Sequence, residues 1–289
     1  MTATTPQASA ETVAVMAVLS RPRVGRRKVH DMVNTMVPAF LDAPTTPERE
    51  AAEKVAREAA AQDIMVLSIL DSSFPSALRG IPDPPVLLTY RGDAGALHEA
   101  LAHRVAVIGT RKPTPRGSAA ARKLGRQLAE SGYRVVSGLA LGCDAAAHFG
   151  CLEGGGVTVA VLAHGLDRVY PKANDKLAAA ILEQRGCLVS EYLPGVEPAP
   201  YTFVERDRLQ SGLSCAVIVA ETGMRGGSMQ TVQFAKRQGR AVACVVPPEA
   251  PLDSFSGNYA LIQNGAVPLG GQSGPRLFDF LADVAAGDG

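Results

Sequence analysis

Apolar positions recur at helical spacing over the N-terminal part of the chain, from Glu11 to about Gln62. Three segments show this pattern: ETVAVMAVLS, VGRRKVHDMVNTMV and TTPEREAAEKVAREAAAQ. The last segment opens with Thr46 and Pro47, residue types that are typical of a helix cap and first turn. We therefore predict a small helical domain over residues 1–66.

A proline and a glycine interrupt this pattern between the first two helices, in LSRPRVGRRKVHDMV. The arrangement resembles a helix-hairpin-helix of the SAM-like type, whose glycine turn can approach a DNA phosphate. The simpler interpretation, which we favour, is an ordinary helical hairpin with a solvated basic face.

Short apolar runs broken by prolines follow, in IMVLSILDSSFPSALRGIPDPPVLLTYRGD. Prolines at this density exclude a long helix and predict a strand, a tight turn and a second strand. We assign residues 67–100 to a connector that extends the next domain.

From Arg104 onward, wholly apolar runs alternate with helical segments. The predicted strands are RVAVIG, YRVVSG, VTVAVLA, CLVSEY, SCAVIVAE and AVACVV. Strands of this kind are buried on both faces, and a helical segment follows most of them, so the sheet should be mostly parallel. The fold class is α/β: a Rossmann-like, doubly wound sheet over residues 101–270, followed by a C-terminal tail at 271–289. Ligands of such sheets bind beyond the carboxyl ends of the strands.

Composition and charge restrict the function. The 289 residues are 46% hydrophobic and 20% charged, which is typical of a globular protein. Lys plus Arg number 29 and Asp plus Glu 28, so a site for an anionic partner must be local. The five cysteines are scattered without metal-ligand spacing and are interpreted as buried free thiols. With no export signal or membrane-length apolar run, we expect a cytoplasmic protein without metal or cofactor.

The loop after the first Rossmann strand combines a glycine with cations. Gly109, Arg111 and Lys112 precede a helix that should begin near Ser118. A glycine turn, a helix N-terminus with unpaired N–H groups and nearby cations together make an anion site, with phosphate as its natural occupant. A surface loop with incidental basic residues is the alternative. The spacing does not match the GxGxxG dinucleotide motif.

The loop after the second strand contains Ser137, Gly138 and Gly142, which would let backbone amides approach a ligand. Asp144 can cap the following helix or position a basic side chain. His148 lies one turn later, and we predict a structural Asp144–His148 contact rather than acid–base catalysis.

Three further segments supply candidates. After the third strand, Tyr170, Lys172 and Asn174 suit base stacking and phosphate pairing, although a tyrosine packed on the sheet is the alternative. Ahead of SCAVIVAE, Phe203 is followed by Arg206, Asp207 and Arg208, which form either an internal ion-pair network or a positive groove wall.

In the last loop, Gly227 and Ser228 belong either to a phosphate cradle or to a glycine turn capped by the serine. The candidate set is Gly109, Arg111, Lys112, Ser137, Gly138, Gly142, Tyr170, Lys172, Asn174, Phe203, Arg206, Arg208, Gly227 and Ser228.

Taken in order, these segments resemble the DNA-processing protein A (DprA/Smf) family. The segments that carry this resemblance most strongly are FPSALRGIPDPPVLLTYRGD, VAVIGTRKPTPRG, VVSGLALGCDAAAH, VAVLAHGLDRVYPKAN, SEYLPG, FVERDRLQSGLS and GNYALIQNGAVPL. The resemblance implies a non-enzymatic, homodimeric protein that binds single-stranded DNA, protects it and loads a RecA-type recombinase during natural transformation of competent cells. It also implies that Arg111 and Lys172 line the DNA groove.

The chain departs from the family pattern at several positions. The usual RNR is RDR here, and Asp207 would repel phosphate unless both flanking arginines neutralise it. The SGSLIT-like run is GGSMQT, and the strand-ending PG is Pro247–Pro248. A divergent accessory factor of a mobile-element or defence system is therefore an alternative. Others are a nucleotide-binding sensor and a recruiting protein with a vestigial groove.

Overall fold

A computed structural model describes residues 8–35, 43–247, 253–270 and 276–287. These residues form one nine-stranded sheet with helices on both faces. The strands are β1 (Met65–Ser68), β2 (Leu87–Gly92), β3 (Arg104–Ile108), β4 (Arg134–Ser137), β5 (Thr158–Val161), β6 (Cys187–Ser190), β7 (Ala216–Val219), β8 (Ala241–Val245) and β9 (Val267–Leu269).

The described α-helices flank these strands. They are α1 (Ala10–Leu19), α2 (Arg26–Thr35), α3 (Thr46–Ala60), α4 (Ser76–Arg79), α5 (Gly95–His98), α6 (Pro115–Glu130), α7 (Cys143–Glu153), α8 (Asp175–Glu183), α9 (Pro200–Gly212), α10 (Ser228–Arg237), α11 (Ser256–Gln263) and α12 (Leu277–Gly287). Short 3₁₀ turns occupy Leu101–His103, Lys172–Asn174 and Asp253–Phe255. Within the described ranges, no helix is long and apolar enough to cross a membrane.

The order of the strands is β1-β2-β6-β5-β4-β3-β7-β8-β9. β1 and β2 pair antiparallel at one edge, and the remaining seven strands run parallel. The chain moves outward from β3 to β6 and then returns to place β7 beside β3. This reversal is a topological switch point, and it confirms the predicted doubly wound α/β fold.

Alternate residues of β3 face two different cores. Val105 and Val107 pack with residues of α6 and α12, whereas Ala106 and Ile108 pack with residues of α9 and α10. The strand is therefore apolar at every position after its first residue. All five cysteines are buried free thiols, as the sequence predicts.

The N-terminal helices share a hydrophobic core with the sheet. Val15 and Val18 of α1 belong to the same buried cluster as Leu162 and Leu188. α3 begins at Thr46 as predicted, although its cap is Thr45, whose N–H donates to the Glu48 carboxylate at 2.7 Å. The end of the predicted second helix, beyond residue 35, lies outside the described residues.

The connector and the C-terminal segment contain more structure than predicted. β1 and β2 form the predicted strand pair, but the short helix α4 lies between them. The segment predicted to be a tail contains α12, whose Leu277, Phe280 and Leu281 are buried. Pro248, noted above as a departure from the family pattern, lies outside the described residues.

Candidate nucleic-acid interface

A cavity of about 470 Å³ opens at the carboxyl ends of β3 and β7, where the sheet reverses its winding. Loops after β3, β4 and β7 form three of its walls, and α9 forms the fourth. The location agrees with the general rule that ligands of doubly wound sheets bind at the switch point. We refer to this space as the switch-point cavity.

One face of α9 supplies the fourth wall. Phe203, Arg206, Asp207 and Gln210 line the cavity, and their spacing of three, one and three residues places them along a single side of a helix. Phe203, Arg206 and Asp207 were expected from the sequence, whereas the helix was not. Gln210, which lies on the same side of this helix, was not selected from the sequence.

An aromatic and cationic surface includes two residues of the cavity lining, Arg111 and Phe203, and extends to Tyr170 beside it. The guanidinium carbon of Arg111 is 4.8 Å from the centroid of the Phe203 ring, within the range of a cation–π contact. The Tyr170 ring is 6.0 Å from that of Phe203 and is 47% exposed. We call Arg111, Phe203 and Tyr170 the stacking surface, because a nucleobase and a phosphate are the groups that such neighbours bind.

Arg206 lies beneath the cavity and is buried. Its Nη1 donates to the carbonyl oxygens of Gly138, at 2.8 Å, and Val161, and its Nε donates to the Asp207 carboxylate at 3.2 Å. A Cβ at position 138 would collide with the guanidinium, so this position requires glycine for close packing. Gly138 therefore makes room for Arg206, and its N–H donates to the Asp144 carboxylate at 3.1 Å, whereas a direct contact with a ligand stays a prediction.

Two buried carboxylates lie near Arg206. Burial raises the pKa of Asp144 to about 6, although the positive charge of Arg206 opposes the shift. Burial also raises the pKa of Asp207, whose carboxylate accepts hydrogen bonds from Arg206 and Gln210. Arg206 and Asp207 thus form the internal ion-pair network that was one of the two interpretations of this segment.

Arg208 does not face the cavity, and its prediction as a groove residue is wrong. It is 1% exposed, and its two terminal nitrogens donate to the Glu191 carboxylate at 2.6 and 2.7 Å. The reason is helical geometry, because residues two apart on a helix point about 200° away from each other. Of its two flanking arginines, Asp207 therefore pairs with Arg206 and not with Arg208.

The N-terminus of α6 is already occupied by a carboxylate of the chain. Glu221 is fully buried, and its carboxylate accepts hydrogen bonds from the N–H of Thr114, at 3.0 Å, and from its hydroxyl, at 2.7 Å. The Thr114 hydroxyl also accepts the N–H of Gly117 at 3.1 Å. The predicted phosphate site on unpaired N–H groups is therefore wrong for this helix.

The cationic side chains of the loop after β3 remain available to bind an anion. Arg111 and Lys112 are exposed and line the cavity. Lys172 is exposed in the 3₁₀ turn that follows Tyr170 and is not part of the cavity lining. Whether these side chains bind DNA stays a prediction.

Several predicted ligand contacts are instead structural. The hydroxyl of the buried Ser137 donates to the Val107 carbonyl at 2.7 Å. The buried Asn174 amide donates to the Leu139 carbonyl at 2.8 Å and so joins the loops after β4 and β5. Neither residue lines the cavity, and whether either contacts DNA stays a prediction.

Glycines at the cavity serve mainly close packing. A Cβ at Gly109 would lie 2.5 Å from the Cys143 sulfur, and Gly142 adopts a positive φ of 83° against the backbone of Thr110 and Arg111. Gly109 still lines the cavity, whereas Gly142 does not. Both glycines hold the loops after β3 and β4 against each other.

His148 contacts Thr158 and not Asp144, so the predicted Asp–His contact is wrong. The Thr158 hydroxyl donates to the Val135 carbonyl at 2.8 Å and therefore accepts from His148 Nδ1 at 2.7 Å. Among the described residues, the other ring nitrogen has no hydrogen-bond partner. Burial lowers the pKa of His148 to about 3, so the ring is neutral at physiological pH.

The loop after β7 brings another helix N-terminus to the cavity. Gly227 is the N-cap of α10 and has open space on its Cβ side, and Ser228 is the first helical residue. Of the two interpretations of this loop, the one in which Ser228 caps the helix is therefore wrong, because the serine lies one position inside the helix. Both residues line the cavity, together with Thr231, which the sequence analysis did not select.

Comparisons with known proteins identify relatives over this region. Residues 65–274 match the sequence model of a family described as DNA recombination-mediator protein A. The DNA processing protein DprA of Streptococcus pneumoniae is 41% identical over 215 residues, which are 74% of each chain. Protein Smf of Escherichia coli is 39% identical over 198 residues, which are 68% of this chain but 52% of that protein. The chain thus spans about half of that longer relative.

Two solved structures have the same fold. The crystal structure of S. pneumoniae DprA has a TM-score of 0.66 at 32% identity, covering 90% of this chain and 89% of that one. The Helicobacter pylori DNA processing protein A, described for its single-stranded DNA binding mode, also has a TM-score of 0.66, at 29% identity. That match covers 78% of this chain and 96% of the H. pylori chain.

Proposed function

The chain belongs to the DNA recombination-mediator protein A family, and from that premise we propose that it binds single-stranded DNA at the switch-point cavity, protects it and delivers it to a RecA-type recombinase. The proposal includes action as a homodimer in the cytoplasm, in natural transformation of competent cells. Binding and delivery need no chemical step, so we propose a protein without enzymatic activity.

The observation that carries this proposal is the stacking surface. Arg111 lies over one face of the Phe203 ring, and Tyr170 exposes about half of its own side chain beside it. Aromatic rings bind any base through its π-face, and a neighbouring guanidinium pairs with the phosphate. Duplex DNA keeps its bases stacked inside the helix, so this surface favours single strands.

The electrostatics of the cavity support a ligand with few phosphates in contact. Arg206 is neutralised by Asp207 and lies near Asp144. The exposed charges at the cavity are those of Arg111 and Lys112, with Lys172 on the loop that carries Tyr170. The phosphates of a short stretch of single-stranded DNA would neutralise these positive charges.

The H. pylori relative adds independent support. It binds single-stranded DNA, and its fold covers most of this chain. Delivery to a recombinase rests on the family relationship alone, and a strand-exchange assay with RecA and strands coated by single-strand-binding protein tests it directly.

Binding is tested by fluorescence anisotropy with labelled single- and double-stranded oligonucleotides of equal length. We expect the wild type to prefer single strands and the double variant Arg111→Ala/Lys172→Ala to lose affinity by roughly tenfold or more. Lys54→Ala is the matched control, because it removes an exposed positive charge from α3, remote from the cavity lining. Wild-type affinity in the double variant would reject the proposal.

The same measurements address the nucleotide-sensor alternative. The cavity of about 470 Å³ has the size of a typical small-ligand pocket, so a free nucleotide would fit. Tight binding of a mononucleotide, with no gain in affinity as oligonucleotides lengthen, would favour the sensor over the DNA-binding protein.

A further inference from the structure

One side of α9 leads from the mouth of the switch-point cavity to its floor, which we define by Arg206, Asp207, Gln210 and Thr231. Phe203, Asp207 and Gln210 follow one another at helical spacing, and all three line the cavity. Phe203 is partly exposed, Asp207 is 9% exposed and Gln210 is 2% exposed. A ligand held beside the Phe203 ring would therefore meet Asp207 and Gln210 with its inner edge.

Several hydrogen-bond donors of the floor are directed at Asp207. Gln210 Nε2 and Arg206 Nε both donate to Asp207 Oδ1, at 3.0 and 3.2 Å. The Thr231 hydroxyl donates to the same carboxylate. Burial raises the pKa of Asp207, but its ion pair with Arg206 opposes that shift and favours the ionised form, which only accepts hydrogen bonds.

Two neighbouring acceptors remain at the floor. Gln210 Oε1 is buried and, within the described part of the chain, has no hydrogen-bond partner. The bond from Gln210 Nε2 to Asp207 fixes which end of the amide is the oxygen. An ionised carboxylate accepts about four hydrogen bonds, so Asp207 can take another besides the three it receives. A buried acceptor without a partner costs free energy, which a donor on a ligand would recover.

Nucleobases differ in the donors on their Watson–Crick edge, the edge by which an unpaired base is read in a protein pocket. Guanine presents a ring N–H directly beside an amino group, and so has two adjacent donors. Thymine has one ring N–H between two carbonyl oxygens, which a carboxylate repels. Adenine and cytosine have an amino group beside a ring nitrogen that accepts. A floor with two neighbouring acceptors therefore matches guanine best.

We propose that the floor of the switch-point cavity binds one guanine of the strand, whose ring N–H and amino group donate to the Asp207 carboxylate and to Gln210 Oε1. The inference rests on the proposed function, since it assigns a base to the site at which the strand binds. Bases stack on aromatic rings and on guanidinium planes, and Arg111 over Phe203 presents both at the mouth. The cavity of about 470 Å³ leaves room for a base between mouth and floor.

Fluorescence anisotropy with the full chain and short labelled strands tests the base preference. One strand is all thymidine, and the others carry a single central deoxyguanosine, deoxyinosine or deoxyadenosine. We expect the wild type to bind the deoxyguanosine strand at least about fivefold more tightly than the all-thymidine strand, the low end for a bidentate base contact. Inosine keeps the ring N–H but lacks the amino group, so its strand should bind with intermediate affinity.

Asp207→Asn replaces one acceptor oxygen by a donating amino group and keeps the shape of the side chain. We expect the ratio of the deoxyguanosine to the all-thymidine affinity to fall below about twofold in this variant. Asp283→Asn is the matched control, because it makes the same chemical change at an exposed position of α12 outside the cavity lining. It should keep the wild-type ratio.

Circular dichroism first compares each variant with the wild type. If Asp207→Asn fails to fold, Gln210→Met replaces it, because methionine has a similar volume and removes the other acceptor, and the same fall in the ratio is expected.

The outcomes separate this inference from the proposed function. Equal affinities of the wild type for all strands, or an inosine or adenosine strand bound as tightly as the guanosine strand, overturn the inference and leave single-strand binding in place. A wild-type ratio in the folded Asp207 or Gln210 variant also overturns it. Absence of single-strand binding by the wild type rejects the proposed function, and the inference with it.

Discussion

Phe203 is the residue on which the stacking surface depends, since its ring contacts both Arg111 and Tyr170. Replacement by leucine keeps an apolar side chain but removes the π-face. We expect Phe203→Leu to weaken binding of single-stranded DNA by roughly tenfold to a hundredfold, the range of one lost base stack. Tyr201→Leu is the control, because Tyr201 is 63% exposed and points to a different side of α9. Equal losses in both variants would contradict a specific role of Phe203.

His148 gives the stability of the protein a dependence on pH. Its pKa in the folded state is lowered to about 3 by burial, below the ordinary value of 6.5. Between these values the unfolded chain binds the proton and the folded one does not, so stability is full above pH 6.5 and is lost as the pH falls toward 3. The loss amounts to a few kcal/mol, on the order of 1.4 per pH unit.

Asp144 acts in the opposite direction over a narrower range. Its pKa is raised to about 6, so its contribution to stability decreases as the pH rises from 3.8 to 6. The His148 shift is the larger of the two. Urea unfolding across this range should therefore show a net loss of stability in acid, and His148→Leu should reduce that loss. An unchanged slope in the variant would mean that other groups determine the acid sensitivity.

At the scale of elements, the crossing of α6 and α7 depends on two glycines. A Cβ at Gly125 would collide with the carbonyl of Ala147, and a Cβ at Gly150 with the carbonyl of Arg122. These are backbone atoms of the facing helix, so relief requires the helices to separate. We expect Gly125→Ala to lower the free energy of unfolding by about 3 kcal/mol, measured by chemical denaturation.

Gly227→Ala is the matched control for that substitution. Its backbone has helical φ and ψ angles, and no atom of the described residues, its own chain neighbours aside, lies within 4 Å of the added Cβ. Alanine there should change stability by less than about 0.5 kcal/mol. Similar losses of stability in both variants would show that these positions need the backbone flexibility of glycine and not its small size.

The elements that sequence predicts well are those whose burial pattern is simple. The six Rossmann strands are apolar because both faces are covered, and the sequence shows this directly. α9 was missed because its buried residues include the polar side chains of Arg206, Asp207, Arg208 and Gln210. Its sequence therefore lacks the apolar stripe by which an ordinary helix is recognised. β9 was missed because it has three residues, too few for a pattern.

At the scale of the molecule, topology predicts the place of the site better than its residues. Parallel strands bring their carboxyl ends to one edge, so the loops after β3, β4 and β7 were identified from the sequence. Which side chains face the ligand depends on tertiary contacts that the sequence does not reveal. Ser137 and Asn174 bond to carbonyls of other segments, and Glu221, 107 residues from its partner Thr114, fills the expected phosphate site.

The nearly balanced charge of the whole chain determines how DNA binding should respond to salt. With a net charge of +1, attraction must come from local cations, and the predicted DNA-binding ones that are exposed are Arg111, Lys112 and Lys172. Three phosphate contacts to a single strand predict a slope of about −2 for the logarithm of affinity against that of salt concentration. Each alanine substitution at these positions should make the slope shallower by about 0.7.

Phe203→Leu separates stacking from charge in the same titration. Because it removes no cation, it should lower affinity by the same factor at every salt concentration and leave the slope unchanged. A wild-type slope steeper than about −4 would mean that DNA follows a wider basic surface than the switch-point cavity. A slope near zero would mean that bases, and not phosphates, supply nearly all of the affinity, and that the three cations have another role.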